Sequence, residues 1–281
     1  MQILKDPKEF QRVCLEWCAQ GQRLALVPTM GAHHAGHQSL MRAAKASGAR
    51  VLVSLFVNPA QFGPEEDLAA YPRDPERDAE LAGDAGAELL FMPEPHGMYA
   101  GDHATWVETP ALARTLCGLS RPEHFKGVCT VVLKLLLLSQ ADLAFFGEKD
   151  WQQLVIIRRM ARDLNVPVEI RGCPTVREAD GLALSSRNAY LTPEERAQAP
   201  QIQAGLRQAL ALARRGERAA KGLCDAVREH WATHLPLGRE EYLTLVHPHS
   251  LDNLDAIGDT ALMACAVRLG KARLIDNILL P

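Results

Sequence analysis

With 281 residues, 47% of them hydrophobic and 23% charged, the chain has enough apolar material for one large domain or two smaller ones with packed cores. A net charge of -3 excludes the global basic bias of a nucleic-acid binder, so any anionic ligand has to be held by a local cluster. The most apolar run, "VCTVVLKLLLL" at 128–138, contains Lys134 and is too short to span a bilayer, which excludes a membrane span there.

The first ten residues, "MQILKDPKEF", carry charges and no apolar core, so no secretory signal is expected. From there the chain alternates strand and helix. "RLALV" (23–27) reads as a strand, and "SLMRAAKASG" (39–48) as a helix with a glycine stop. "RVLVSLFV" (50–57) and "AELLFM" (87–92) read as strands on either side of the helix "PERDAELAGDAG" (75–86). An apolar helix at 126–138 leads to the strand "DLAFF" (142–146), and "DWQQLVIIRRMARDL" (150–164) is a helix before the strand "PVEIR" (167–171). Repeated βα alternation predicts a parallel sheet covered on both faces, an α/β domain over residues 1–176. Beyond it, two amphipathic helices (192–216 and 217–235) precede three strands (240–247, 260–270, 272–278). Helices followed by strands predict a smaller α+β lid domain over 177–281.

The seven cysteines are scattered at 14, 18, 117, 129, 173, 224 and 265 with no C-x-x-C pair, as in a cytoplasmic protein with reduced thiols. Cys14 and Cys18 lie one helical turn apart but have no second pair to complete a metal site. His230 and His234 share a helix face and read as a packed or solvated face.

Ligands of an open parallel sheet sit at the carboxyl ends of its strands. Two unusual loops fall there and lead into helices, whose amino termini favour phosphate. The first, "GAHHAGHQS", fails as a P-loop because His37 stands at the lysine position, and it lacks G-x-G-x-x-G. What remains is His34-Ala35-Gly36-His37. Two imidazoles three positions apart face the same way, and Gly36 lets a flat group approach the backbone. Such donors suit a pentacoordinate phosphorus and its leaving pyrophosphate. A zinc site is the weaker reading, because His33 does not share the geometry and no H-E-x-x-H occurs.

The second loop, "FGEKDWQQ", offers Lys149 against a helix dipole, which makes sense with an anion in front of it. Asp150 beside it suits ribose hydroxyls or the helix cap, and Gln153 shares its face. Asn58 and Gln61, beyond the second strand, are neutral groups suited to a small polar substrate. The loop "READGLALSSRNAYL" carries Ser185, Ser186 and Arg187, donors able to close over a triphosphate.

Taken together, "VPTMGAHHAGHQSL", "VSLFVNPAQFGPEEDLAAYPR", "SRPEHFKGV", "FFGEKDWQQLVIIRRM", "READGLALSSRNAYL" and "ARLIDNI" resemble the motifs of the pantothenate synthetase (pantoate–β-alanine ligase) family, in order and spacing. The resemblance covers essentially the whole chain, and its long motifs are far more specific than H-x-G-H, which a wider nucleotidyltransferase superfamily shares. It implies a Rossmann-like domain, a smaller carboxy-terminal domain and a homodimer. It implies pantoate, β-alanine and Mg-ATP as substrates, and a pantoyl adenylate formed with loss of pyrophosphate before the amine of β-alanine displaces AMP. By the same resemblance His34, His37 and Lys149 bind phosphate and stabilise adenylation, with Ser185, Ser186 and Arg187 closing over it. Met30, Gly36, Gly147, Asp150, Val176 and Leu184 complete the ATP site. Gln61 and Gln153 hold pantoate, with Pro28, Met30, Val131 and Val132 around its methyl groups and Asn58 and Arg121 as further substrate contacts. Asp78 is the candidate magnesium-side acid.

Two departures stand out. The family's usual Leu-His-(Glu or Asp)-Gly-His is His33-His34-Ala35-Gly36-His37 here, and Cys117 stands where a glutamate is common. Losing the acid makes a protonated neighbouring histidine less favourable. A nucleotidyltransferase that keeps the nucleotide on its product would share the H-x-G-H chemistry, and a nucleotide-binding regulatory module is the non-enzymatic alternative.

Overall fold

The computed structural model describes residues 1–64 and 66–281. They divide into two compact units. The first comprises Met1–Arg114, Gly118–Glu148 and Gln153–Pro174. The second comprises Thr115–Cys117, Lys149–Gln152 and Thr175–Pro281, so Thr115–Cys117 and Lys149–Gln152 cluster with the later chain.

The first unit is built on a parallel sheet of six strands: β1 (Gln2–Leu4), β2 (Leu24–Thr29), β3 (Arg50–Leu55), β4 (Leu89–Phe91), β5 (Leu143–Gly147) and β6 (Glu169–Cys173). Their spatial order is β1-β4-β3-β2-β5-β6, every pairing is parallel, and β2 is central, matched to β3 from Leu24↔Arg50 to Thr29↔Leu55. Successive strands run outward from β2 through β3 to β4, and the chain then crosses to place β5 on the other side of β2. That reversal is the point where an open sheet binds ligands.

The helices of this part of the chain are α1 (Pro7–Ala19), α2 (Ala35–Ala46), α3 (Pro75–Asp84), the short α4 (Pro95–Met98), α5 (Pro110–Ala113) and α6 (Cys117–Ser120), then α7 (His124–Ser139) and α8 (Trp151–Asp163). Leu40, Met41 and Ala44 of α2, with Ala82 of α3, cover Ala25, Val27, Val51 and Val53. Strand alternation sends Leu24, Leu26 and Leu52 to the opposite face, all fully buried. There α1 and α7 pack on each other and Phe10 stacks on Phe91 at 4.2 Å. The sequence reading passed over β1 and α1. Two of the three β1 residues are exposed and give no apolar run. The α1 signal is present, in an Asp6 cap that accepts from the Glu9 amide, Pro7 at the first position, and buried Phe10, Val13 and Cys14.

In the second unit, α9 (Pro193–Gln198), α10 (Gln201–Arg214) and α11 (Ala220–His234) pack on an antiparallel sheet, β7 (Gly238–Val246), β8 (Ala261–Leu269) and β9 (Ala272–Leu280). Leu206, Val227, Trp231, Leu245, Met263 and Val267 lie in its core. The single helix expected over 192–216 is two, because Pro200 has no N–H to continue the ladder. Among the described residues no helix is long and apolar enough to cross a membrane.

Candidate active site

The loops after β2 and β5 leave the sheet at the reversal point. The first makes a tight turn before α2. Gly31 (φ +90) and Ala32 (φ +50) are both left-handed. A side chain at Gly31 would also crowd the Asp78 carboxylate at 2.8 Å, so the position requires glycine twice over. Both Asp78 oxygens accept backbone N–H groups, Oδ2 from Ala32 at 2.8 Å and Oδ1 from His33 at 2.6 Å. Asp78 sits in the first turn of α3, where the helix dipole favours a carboxylate. The Asp78 side chain is buried and holds this loop through both of its oxygens.

His34 is the N-cap of α2, and its Nδ1 accepts from the Gly36 amide at 3.1 Å. With Nδ1 occupied as an acceptor, a neutral imidazole carries its proton on Nε2 and can donate there. This cap also starts α2 four residues before the predicted Ser39. His37 lies one turn on, its ring centroid 4.2 Å from that of His34. Two imidazoles thus gather with the first amides of a helix, a strong position for phosphate.

Next to them lies a set of neutral groups. Gln61 is buried at the end of a short turn (Pro59–Gln61), and its amide donates to the Met30 sulfur at 2.9 Å. Asn58 donates to Gln61 Oε1 and to the Gly127 carbonyl, both at 3.1 Å, while its own oxygen accepts from Tyr99 Oη at 2.8 Å. At 1% exposure with both its amide oxygen and its amide nitrogen bonded, Asn58 orients Gln61. Arg121 also reaches this turn. Its guanidinium forms a bidentate pair with Glu66 and reaches the Gln61 carbonyl at 3.3 Å. Burial pushes the Glu66 carboxyl up, but the Arg121 hydrogen bonds and charge outweigh it and leave its pKa below the ordinary value. Val131 and Val132 are buried on α7, whose Gly127 lies so close to the Ala60 carbonyl that any Cβ would overlap it. Pro28, next to last in β2, and Met30 just after the strand are both half-buried, as is Gln153 in the first turn of α8. A Cβ built at Gly147, the last residue of β5, would meet no heavy atom within 4 Å, so a flat ligand can lie against that backbone.

The second unit gathers the other candidates. Lys149 sits in a short turn (Glu148–Asp150) whose Lys149 carbonyl accepts from Asn277 Nδ2 at 3.0 Å, and Asp150 is exposed. A small cavity lined by Lys149, Ser185, Gln203 and Asp276 brings the lysine beside the serine loop. The Leu184 amide donates to the Val176 carbonyl at 3.0 Å, closing a narrow loop. Ser185 then caps the turn Ser186–Tyr190 by accepting from the Arg187 amide at 3.2 Å, which leaves its hydroxyl proton to donate elsewhere. Asn188 ties this turn to the Ala183 carbonyl at 3.1 Å.

Underneath runs a bidentate pair that sequence reasoning missed. Arg177 donates to both Asp276 oxygens at 2.6 and 2.8 Å and to the Gly181 carbonyl at 3.2 Å. The available signal was an aspartate between the apolar Ile275 and the run Ile278–Leu280, at a buried position of the strand "RLIDNILL". Cys117, at the position where a glutamate is common in the resembled family, contacts Tyr242 Oη at 3.3 Å and Arg273 Nη1 at 3.5 Å. His230 and His234 stack at 4.4 Å on α11, with His230 bonded to Gln201 and His234 exposed, a face partly packed and partly solvated. Among the described residues no three His, Cys, Asp or Glu side chains are grouped to hold a metal.

Comparison with known proteins meets this geometry. The family model described as pantoate-beta-alanine ligase matches residues 2–279. The chain is 64% identical over 280 residues to the pantothenate synthetase of Desulfovibrio desulfuricans, covering 100% of this chain and 99% of that one. It is similar to the crystal structure of pantothenate synthetase from Thermus thermophilus, with a TM-score of 0.92, 44% identity and 99% of both chains covered. It is also similar to pantoate-beta-alanine ligase from Francisella tularensis complexed with beta-gamma ATP and beta-alanine, with a TM-score of 0.81, 33% identity, and 99% of this chain and 97% of that one covered.

Proposed function

The chain belongs to the pantoate-beta-alanine ligase family, and from that premise we propose that it condenses pantoate with β-alanine at the expense of ATP by way of a pantoyl adenylate. The observation that carries the reading is the imidazole pair of His34 and His37 at the start of α2, beside the reversal of the sheet. Donors held in place before charge develops are worth most at a phosphoryl transition state.

In the first step a pantoate carboxylate oxygen attacks the α-phosphorus of ATP, and the bond to the pyrophosphate bridging oxygen breaks. His34 Nε2 and His37 supply donors to the phosphates, and Lys149 adds a full positive charge. Ser185, Ser186 and Arg187 close over the leaving group and keep water from the mixed anhydride. The backbone at Gly147, Gly36, Val176 and Leu184, with Asp150 and Met30, holds the nucleoside. Gln61 and Gln153 orient pantoate against Pro28, Val131 and Val132, and Asn58 and Arg121 hold Gln61 in place. In the second step the unprotonated amine of β-alanine attacks the acyl carbon, AMP leaves with the bonding pair, and the amine proton passes to solvent. Magnesium enters as part of the Mg-ATP substrate, ligated by the phosphates. Seven free thiols fit a cytoplasmic enzyme. By family membership the working form is a homodimer, with residues 177–281 acting as a lid.

The test is isotope exchange. The enzyme exchanges labelled pyrophosphate into ATP with pantoate present and β-alanine absent, and adding β-alanine then releases AMP and pantothenate in equal amounts. Exchange that strictly requires β-alanine would argue against the adenylate route. Nucleotide retained on an isolated product would move the assignment to a nucleotidyltransferase.

A further inference from the structure

His33, the residue that departs from the usual leucine, has no part in the steps above, yet its side chain is fully buried directly beneath them. Nδ1 lies 3.0 Å from the Asp78 carbonyl, and Nε2 lies 2.9 Å from Thr29 Oγ1. The Asp78 carbonyl can only accept, so Nδ1 must carry a proton. The Thr29 hydroxyl has one proton and two acceptors in reach, His33 Nε2 and the Ser54 carbonyl at 2.8 Å. A hydroxyl can turn its proton toward a lone pair on Nε2, whereas a carbonyl cannot turn to serve a lone pair on Nδ1. Of the two neutral tautomers, only the one with its proton on Nδ1 satisfies both ends of the ring. Burial, the largest influence, holds the His33 pKa below its ordinary value, against the opposing pull of the Asp78 carboxylate and carbonyl, so the neutral ring prevails near neutral pH.

We propose that Asp78 and His33 are positioning residues for the phosphate-binding loop. They clamp the left-handed turn at Gly31 and Ala32 and hold adjacent histidines in opposite tautomers, His33 protonated on Nδ1 and His34 on Nε2. Asp78 supplies three of the contacts, two through its carboxylate and one through its carbonyl. The His33 ring also stands 5.4 Å from that of His37, so the clamp touches both phosphate-facing imidazoles, one through the chain and one through the ring. The proposal rests on the ligase reading for what the loop does, while the tautomer pattern stands apart from it.

The experiment has two arms on the full chain. Long-range 1H–15N NMR at neutral pH reads the tautomers. The expected result is His33 with its proton on Nδ1 and His34 with its proton on Nε2. A His33 proton on Nε2, or protons on both of its nitrogens, overturns the proposal. Asp78→Asn keeps the volume but turns an amide N–H₂ against a backbone N–H. It should shift the His34 and His37 signals and lower kcat about 10²-fold, the scale of a misplacement near 1 Å, at unchanged pantoate KM. His33→Asn, which can still donate to the Asp78 carbonyl, should retain more kcat than His33→Leu. Normal kcat in a folded Asp78→Asn protein overturns the proposal. If wild-type protein shows no pantoate-dependent pyrophosphate exchange, the ligase reading fails and the tautomer arm alone decides this one.

Discussion

The two loops proposed to face phosphate are held by different physics. The histidine loop of the first unit is pinned by hydrogen bonds from its own backbone to one buried carboxylate, Asp78, and by a buried histidine ring. The serine loop of the second unit rests on ion pairs. Arg177 grips Asp276 inside, and Arg196 bridges Glu178 at 2.6 Å and Asp180 at 2.7 Å nearer the surface. Backbone N–H groups aimed at a carboxylate fix a turn residue by residue and are little affected by salt. Arg–carboxylate pairs fix two segments to each other, and their exposed members weaken as salt rises. The difference suits the proposed roles. Donors aimed at the α-phosphorus need a rigid turn, whereas a loop that closes over the leaving group needs a brace behind it and freedom in front.

The comparison breaks first at Arg177. Arg177→Met leaves Asp276 buried, at 5% exposure, without its partner. Stranding a buried charge typically destabilises by about 3–5 kcal/mol. Denaturant melts should show that loss, and a variant with unchanged stability would mean the ion pair is not what holds this loop.

Next come two proposed transition-state donors, His37 on the histidine loop and Lys149 in the turn after β5. Removing one preorganised transition-state donor lowers kcat by about 10²-fold or more. His37→Ala and Lys149→Ala should each show that loss in pyrophosphate exchange while keeping the wild-type circular dichroism. Equal losses in ATP binding and turnover would instead assign the residue to uniform binding.

Gly127→Ala tests the neutral substrate side, which neither loop braces. The new methyl group overlaps the Ala60 carbonyl. Overpacking of this kind costs about 1–3 kcal/mol. Because the displaced turn carries Gln61, pantoate KM should rise with little change in ATP affinity. A selective rise in ATP KM would place Gln61 elsewhere in the reaction.

A gentler probe is Ala35→Glu, which restores an acid beside His34. A nearby carboxylate raises imidazole basicity. Protonation at Nδ1 conflicts with the Gly36 N–H that this atom accepts, so the neutral ring is the working form. The acidic limb of the pH–rate profile should therefore move to higher pH. An unchanged profile in an active variant would make position 35 electrostatically neutral.

The smallest expected effect is the pH dependence of stability from His33, which faces the Asp78 carboxylate and the His37 ring. Its folded pKa lies below the ordinary 6.5. As pH falls through that value, the unfolded chain takes up a proton that the native ring refuses, so stability declines until the folded pKa is passed. His33→Leu abolishes this contribution, and its melting temperature should fall less on acidification below pH 6.5 than that of the wild type. Parallel curves would show that His33 does not titrate differently on folding.

Much of the architecture was legible because local pattern carries it. The strands around β2 are continuous apolar runs of the kind buried on both faces, and the helices between them show apolar residues at turn spacing. His34, His37, Gly147 and Lys149 could be located because they follow such strands directly. The same reasoning missed β1, which is too short and too exposed to show a pattern, and read one helix across Pro200 where there are two. Nor did it show that Asn58, Arg121 and Asp78, all polar residues near the site, bond to other protein groups.

By itself, then, the sequence determined the βα order, the position of the histidine and lysine loops and the family, since each is written in contiguous residues. Tertiary structure alone decided which polar side chains remain available to a substrate. A donor or acceptor is used up by whatever faces it, and those partners come from far along the chain. Asp78 meets His33 across 45 positions and Asp276 meets Arg177 across 99, so no local spacing announces either pairing.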